Sequence, residues 1–155
     1  KIINDTEGHQ TGDIVLKEVS QALSSRLRQS DILCRVGGDE FVILLPETKM
    51  QNALEIGNTI CKQIADTPFQ FGATTYKISA SIGVAEVDGK ASAAEYLRQA
   101  DIALYVAKNK GRNRTHSFAE GDSESTKQLD NLKCPTSSDW RQFRNALPAC
   151  VVHCR

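Results

Sequence analysis

The residues Arg35-Val36-Gly37-Gly38-Asp39-Glu40-Phe41 place two glycines directly before two carboxylates. Paired glycines permit a tight turn and leave bare backbone N–H groups open to an anion. Carboxylates beside such a turn suit a magnesium–triphosphate complex, because Mg²⁺ prefers carboxylates together with phosphate oxygens. Side chains alternate faces along a strand, so Asp39 and Glu40 reach one site only if the turn distorts the local backbone. The plainer reading is that the two carboxylates cap a turn. A second pattern, Arg28-Gln29-Ser30-Asp31, sets an arginine fork near a carboxylate. Such forks bind phosphate and the guanine O6/N7 edge, although a solvated helix end accounts for the same residues. Among the cysteines, Cys34 and Cys61 fall in apolar runs and read as buried thiols. Cys134, Cys150 and Cys154 share the C-terminal region with His153, but without a CxxC pair no metal site is expected there.

These residues need elements to hold them. Ile14, Val15, Leu16, Val19, Ala22, Leu23 and Leu27 recur at helical spacing and predict a helix over 14–29. Two short runs rich in Val, Ile and Leu, 31–36 and 40–45, flank Gly37-Gly38 and predict a hairpin. Thr48 and Gln51 form a capping-box pattern before a helix over 48–66, with Ala53, Ile56, Ile60 and Ile64 as its stripe. Alternation through Tyr76, Ile78, Ala80, Ile82 and Val84 predicts one strand over 75–85. Ser92 and Glu95 repeat the capping box before a helix to Lys108, striped by Leu97, Ala100, Leu104 and Ala107 and stopped by Gly111. A short strand follows at 114–118. Helix, hairpin, helix, strand, helix is the order of an α+β layer, with helices packed on a mostly antiparallel sheet. Residues 120–140 are polar and without periodicity, so 119–155 reads as a disordered or loosely attached tail.

The totals set limits. A chain of 155 residues suffices for one domain, and 40% hydrophobic with 25% charged residues is ordinary for a globular protein. Lysine plus arginine equals aspartate plus glutamate at 19 each, which argues against a general nucleic-acid binder. No stretch approaches the roughly 18 apolar residues of a membrane helix, so no membrane contact is expected from this segment. No signal peptide opens the chain. It begins with Lys1 rather than methionine, and is expected to start inside a longer protein.

The residues around the double glycine complete the GGDEF signature, and three further blocks follow the same family in the same order. Asn4-Asp5-x-x-Gly8-His9-x-x-Gly12-Asp13 resembles its NDxxGHxxGD segment. Ser81-Ile82-Gly83-Val84-Ala85 resembles its SIGVA strand. Ala100-Asp101-x-Ala103-Leu104-Tyr105-x-Ala107-Lys108-x-x-Gly111-Arg112-Asn113 resembles its last helix. Over residues 1–118 the chain is thus similar to the GGDEF domain of bacterial diguanylate cyclases, which join two GTP molecules into cyclic di-GMP with release of pyrophosphate. The resemblance implies a fold similar to the nucleotidyl cyclase/polymerase palm (ferredoxin-like).

It also implies roles. Asp39 becomes a ligand of Mg²⁺ (or Mn²⁺), and Glu40 a second ligand or the group that activates the 3′-hydroxyl. Gly37 and Gly38 lie against the substrate. Asn4 and Asp13 match the guanine-reading pair, although Asp13 as a helix cap is the alternative. Lys108 and Arg112 match the triphosphate contacts, although basic charge at a helix C-terminus is favourable in itself. Arg28 and Asp31 match the site where cyclic di-GMP inhibits its own synthesis. His9 matches a family position and is given no chemistry. Catalysis in the family needs two GTP face to face, hence a homodimer, and a cytoplasmic location, with any membrane anchor in segments of the parent not shown. Some members bind nucleotide only as sensors, which is the alternative for this chain. One departure stands out. The family's first strand, with a metal-binding aspartate and a phenylalanine before the match to Lys1, is absent. A missing central strand is expected to expose sheet edges, leaving this piece poorly active and poorly folded.

Overall fold

The computed structural model describes residues 9–71, 74–126 and 149–154. Helix α1 spans His9–Ser24. The hairpin follows as β1, Ile32–Gly37, and β2, Glu40–Pro46. Helix α2 is Met50–Asp66, and β3 and β4 are Phe69–Phe71 and Thr74–Tyr76. Strand β5, Ile82–Val87, leads into α3, Ala93–Asn109. Strand β6, Thr115–Ser117, is followed by a 3-10 helix, Glu120–Thr126, and the last strand is β7, Ala149–Cys154. The main sheet has the order β1-β2-β7-β5-β6, while β3 and β4 form a separate pair. Only β5 and β6 run parallel in the main sheet; the other neighbours are antiparallel. This is the α+β architecture expected.

Strand β2 shows why the sheet needs cover on both faces. Its side chains alternate, and all of Phe41–Leu45 are buried. Phe41, Ile43 and Leu45 join Leu23 of α1 with Ala53, Ile60 and Ile64 of α2 in one core. Val42 and Leu44 join Ala85, Val87, Tyr96, Leu97 and Ala100 in a second core under α3. Helices α1 and α2 therefore cover one face and α3 the other. At Gly83 the cover comes closest: a Cβ there would lie 2.0 Å from the Ala100 carbonyl oxygen and 2.3 Å from the Leu104 nitrogen. The glycine of the SIGVA strand is thus a contact point between strand and helix backbone.

Several local expectations change. Helix α1 ends at Ser24, so Arg28–Asp31 lies in a turn beyond it, and Ile14 is 49% exposed rather than part of the apolar stripe. The first capping box does not form: Lys49 is the N-cap of α2 without a side-chain bond, and Thr48 Oγ1 donates to the Pro46 carbonyl instead. The second forms by half. Ser92 Oγ accepts from the Glu95 N–H, but the Glu95 carboxylate pairs with Arg98. The strand read over 75–85 is two strands in different sheets, because residues 77–81 leave β4 and enter β5 without pairing.

Two described segments of the region read as a tail, 120–126 and 149–154, form regular elements, while 127–148 lie outside the described residues. His116 Nε2 and the Ala119 N–H both meet Asp122 Oδ2, at 3.1 and 2.9 Å, tying the 3-10 helix to β6. Strand β7 sits inside the sheet, paired along its six residues with β2 and with β5. The sheet therefore has no gap between β2 and β5. Among the described residues, no helix is long and apolar enough to cross a membrane.

Gly83→Ala and Gly57→Ala separate backbone contact from side-chain contact. At Gly83 the added methyl meets helix backbone, so unfolding by urea should show a loss of about 3 kcal/mol. At Gly57 it meets only the Thr115 side chain, at 2.7 Å from Oγ1. Thr115 is β-branched and stiff at χ1, and its Oγ1 and Cγ2 both lie within 2.8 Å of that methyl. Alanine's helix preference therefore offsets only part of the clash, and the net loss should be about 1–2 kcal/mol.

Candidate active site at one end of the sheet

The hairpin turn departs from a regular ladder. Pairing shifts between Arg35 and Gly37, and Gly38 adopts φ +46°. Asp39 is exposed in the turn, and Glu40 is half-buried as the first residue of β2. A Cβ on Gly37 or Gly38 would meet nothing within 4 Å, so the space over the turn is open to a ligand. Arg35 Nε donates to the Gly38 carbonyl at 2.9 Å, bracing the turn from within.

The second turn with basic chemistry follows α3. The Gly111 N–H donates to the Lys108 carbonyl and the Arg112 N–H to the Ala107 carbonyl, at 3.3 and 3.1 Å. This is the Schellman pattern that closes a helix at glycine. The positive φ does not stop there: Gly111, Arg112 and Asn113 have φ of 110°, 57° and 48°. For the two non-glycine residues this costs about 1 kcal/mol each. Helical spacing therefore does not relate Lys108 to Arg112. The chain instead folds back on the helix end. Lys108 is half-buried in the last helical turn, and Arg112 is exposed.

Sheet register brings the two turns to one end. Phe41 pairs with Cys154, Cys154 with Ile82, and Ile82 with Thr115. The signature turn ends just before Phe41, and the Arg112 turn just before Thr115. Three strand spacings separate them, about 14 Å. Three strands, β2, β5 and β6, begin at this end. The Asp88 corner lies at the far end of β5 and fixes the start of α3. Tyr96 Oη donates to Asp88 Oδ1 at 2.6 Å and accepts the Ala91 N–H. Bonds from Lys90 and Tyr96 hold the Asp88 carboxyl well below the usual carboxylate range.

Asp13 is in the second turn of α1 and exposed, so it does not cap the helix; Asn4 lies outside the described residues. Arg28 and Asp31 precede β1, whose start pairs with Leu44 near the end of β2. They sit at the opposite end of the sheet from the signature turn, about 17 Å along β1. Arg28 lines a cavity of about 360 Å³ with Arg26, Asn52, Glu55, Ile56 and Thr59. The Asp31 carboxylate instead accepts the Arg28 N–H at 2.7 Å and closes its own turn. Sequence reasoning missed Arg26, Arg35 and Arg114. Each lies within two residues of a motif arginine or the double glycine, which is the signal that was available. Of the described cysteines, Cys61 is buried, donates to the Ala80 carbonyl and has its thiol pushed up by burial, while Cys34 is half-buried, and neither of these two is in a disulfide.

The fold and site define an α+β domain that presents paired carboxylates and basic residues from turns at one end of its sheet. The family model "Diguanylate cyclase, GGDEF domain" matches residues 1–114. The probable diguanylate cyclase DgcE of Escherichia coli (strain K12) is 41% identical over 154 residues, 99% of this chain and 14% of that protein. The response regulator PleD of Caulobacter vibrioides is 40% identical over 116 residues, 73% of this chain and 26% of the relative. The chain therefore spans a small part of these relatives. Among solved structures, the active GGEEF domain of a diguanylate cyclase from Vibrio cholerae superposes with a TM-score of 0.70 at 33% identity, covering 77% of this chain and 76% of that one. The GGDEF domain of DgcB from Caulobacter crescentus, in complex with c-di-GMP, gives 0.69 at 30% identity, covering 74% and 69%. The chain belongs to the GGDEF domain family of diguanylate cyclases.

Gly37 and Gly38 should answer differently to alanine. Neither methyl meets a neighbour, but only Gly38 holds positive φ. Gly38→Ala should cost about 1 kcal/mol in urea denaturation, while Gly37→Ala should change stability by less than about 0.5 kcal/mol.

Proposed function

We propose that this chain supplies the catalytic domain of a diguanylate cyclase, which condenses two GTP into cyclic di-GMP and pyrophosphate. The observation that carries the reading is the placement of the carboxylate turn and the Lys108–Arg112 turn at one end of one sheet. Asp39 and Glu40 would hold Mg²⁺ or Mn²⁺. The open space over Gly37 and Gly38, beside an exposed and a half-buried carboxylate, fits an ion that arrives with phosphate oxygens. Such an ion neutralises charge on the phosphates and lowers the pKa of a nearby hydroxyl.

The protein's own groups do the rest. Gly37 and Gly38 let the phosphates approach the turn backbone, and Lys108 and Arg112 balance charge on the departing pyrophosphate. Asp13, with Asn4, would read guanine, because a carboxylate accepts from N1–H and the N2 amine. Glu40 would position or deprotonate the ribose 3′-hydroxyl that attacks the α-phosphate of the second GTP. Each domain binds one GTP, so turnover requires two domains facing each other. We also propose that Arg28, with Asp31 closing its turn, forms part of a product-inhibition site. The cavity with two arginines, far along β1 from the carboxylates, supports that reading.

The test is cyclic di-GMP formation from GTP and Mg²⁺, by the chain as it stands and with a first strand of the family's kind added. Product should form with the strand added, and Asp39→Asn should lower the rate by at least about a thousandfold. Bound GTP without product in either form would favour a nucleotide sensor. Arg28→Ala should raise the cyclic di-GMP concentration for half-inhibition at least about tenfold; an unchanged inhibition curve would remove Arg28 from that site.

A further inference from the structure

Arg114 plays no part in the phosphate reading, yet its exposed side chain is bonded back onto the turn. Its Nε donates to the Arg112 carbonyl at 3.1 Å. Its Nη2 lies 3.2 Å from where a Cβ on Gly111 would be, so the guanidinium packs over that glycine. Its own carbonyl accepts the Ile82 N–H at 3.0 Å, which anchors its backbone to β5. Between these anchors run the three positive-φ residues Gly111, Arg112 and Asn113. Strained backbone persists only where its surroundings over-determine it. Here the helix end holds the Arg112 N–H through the Ala107 carbonyl, and Arg114 holds the Arg112 carbonyl from the strand side. With both peptide groups of Arg112 fixed, the direction in which its side chain leaves the backbone is fixed too.

We propose that Arg114 is a positioning residue, which locks the left-handed 111–113 turn so that Arg112 meets a phosphate chain already oriented. The proposal rests on reading Arg112 as a phosphate contact. Its physical content is pre-organisation: a cationic side chain on a braced turn loses less freedom when it binds than one on a loose loop. The brace calls for arginine in particular. The Nε–H lies partway along the side chain and reaches a nearby carbonyl while the planar group covers Gly111. Lysine carries its donors only at the tip. The same device occurs at the other turn of the site, where Arg35 Nε holds the carbonyl of positive-φ Gly38.

A double-mutant cycle tests this, with inorganic tripolyphosphate as the probe, calorimetry at low salt as the readout and thermal unfolding as a check on folding. Arg112→Ala should weaken binding about tenfold. Arg114→Ala should weaken it several-fold, and the double variant should bind no more weakly than Arg112→Ala alone, because Arg114 acts through Arg112. Wild-type affinity in Arg114→Ala would overturn the proposal. So would losses that multiply in the double variant, since they would mean that Arg114 touches phosphate itself. If Arg114→Ala fails to fold, Arg114→Lys carries the same test: weakened binding supports the brace, and retained affinity overturns it. No effect of Arg112→Ala, or no binding by the unmutated chain, would instead remove the phosphate reading beneath the proposal.

Discussion

Three strands that run the same way set the terms for this molecule. Strands β2, β5 and β6 all begin at one end of the sheet, with the signature turn at the start of β2 and the Arg112 turn just before β6. Asp39 and Glu40 arrive there because a glycine turn precedes β2. Arg112 arrives because α3 crosses the sheet and its end folds back toward β6. The close approach of α3 to Gly83 sets how the helix lies on the strand. The site is a consequence of strand direction and of one helix–strand contact, more than of any single side chain.

The two ends of the sheet carry different kinds of polar group. At the signature end, the carboxylate turn and the Arg112 turn lie about 14 Å apart across the sheet. At the other end, Arg26 and Arg28 share a cavity with Glu55 and Asn52. A ligand there would act on the first end only through β1, β2 and the helices packed on them. Strand β1 ends at the signature turn, so it connects the two ends directly.

Much of this was legible in the residue pattern. The hairpin was legible from two short apolar runs rich in Val, Ile and Leu around paired glycines, and α3 from a clean stripe, a Ser92 cap and a glycine stop. Other features depended on tertiary contacts that no local pattern carries. Alternation through 75–85 looks the same whether it is one strand or two halves in different sheets. Thr48 fits a capping box, yet its hydroxyl finds the Pro46 carbonyl first. Lys108 and Arg112 look like helical neighbours until the left-handed turn intervenes. Strand β7 was hidden because its neighbours β2 and β5 are far away in sequence, and its pairing with both fills the position where an absent first strand was expected to leave a gap. Arginines that hold carbonyls, Arg35 and Arg114, look like ordinary surface charge in a sequence.

The account stands on one bound ion and its phosphates touching both turns at once. Backbone NMR of the chain with Mn²⁺ and GTP tests this directly, because a paramagnetic ion broadens nearby amides. Selective broadening at Gly37–Phe41 together with Lys108–Arg114 is the predicted result. Binding that broadens neither turn, or broadens residues at the Arg28 end instead, would contradict it.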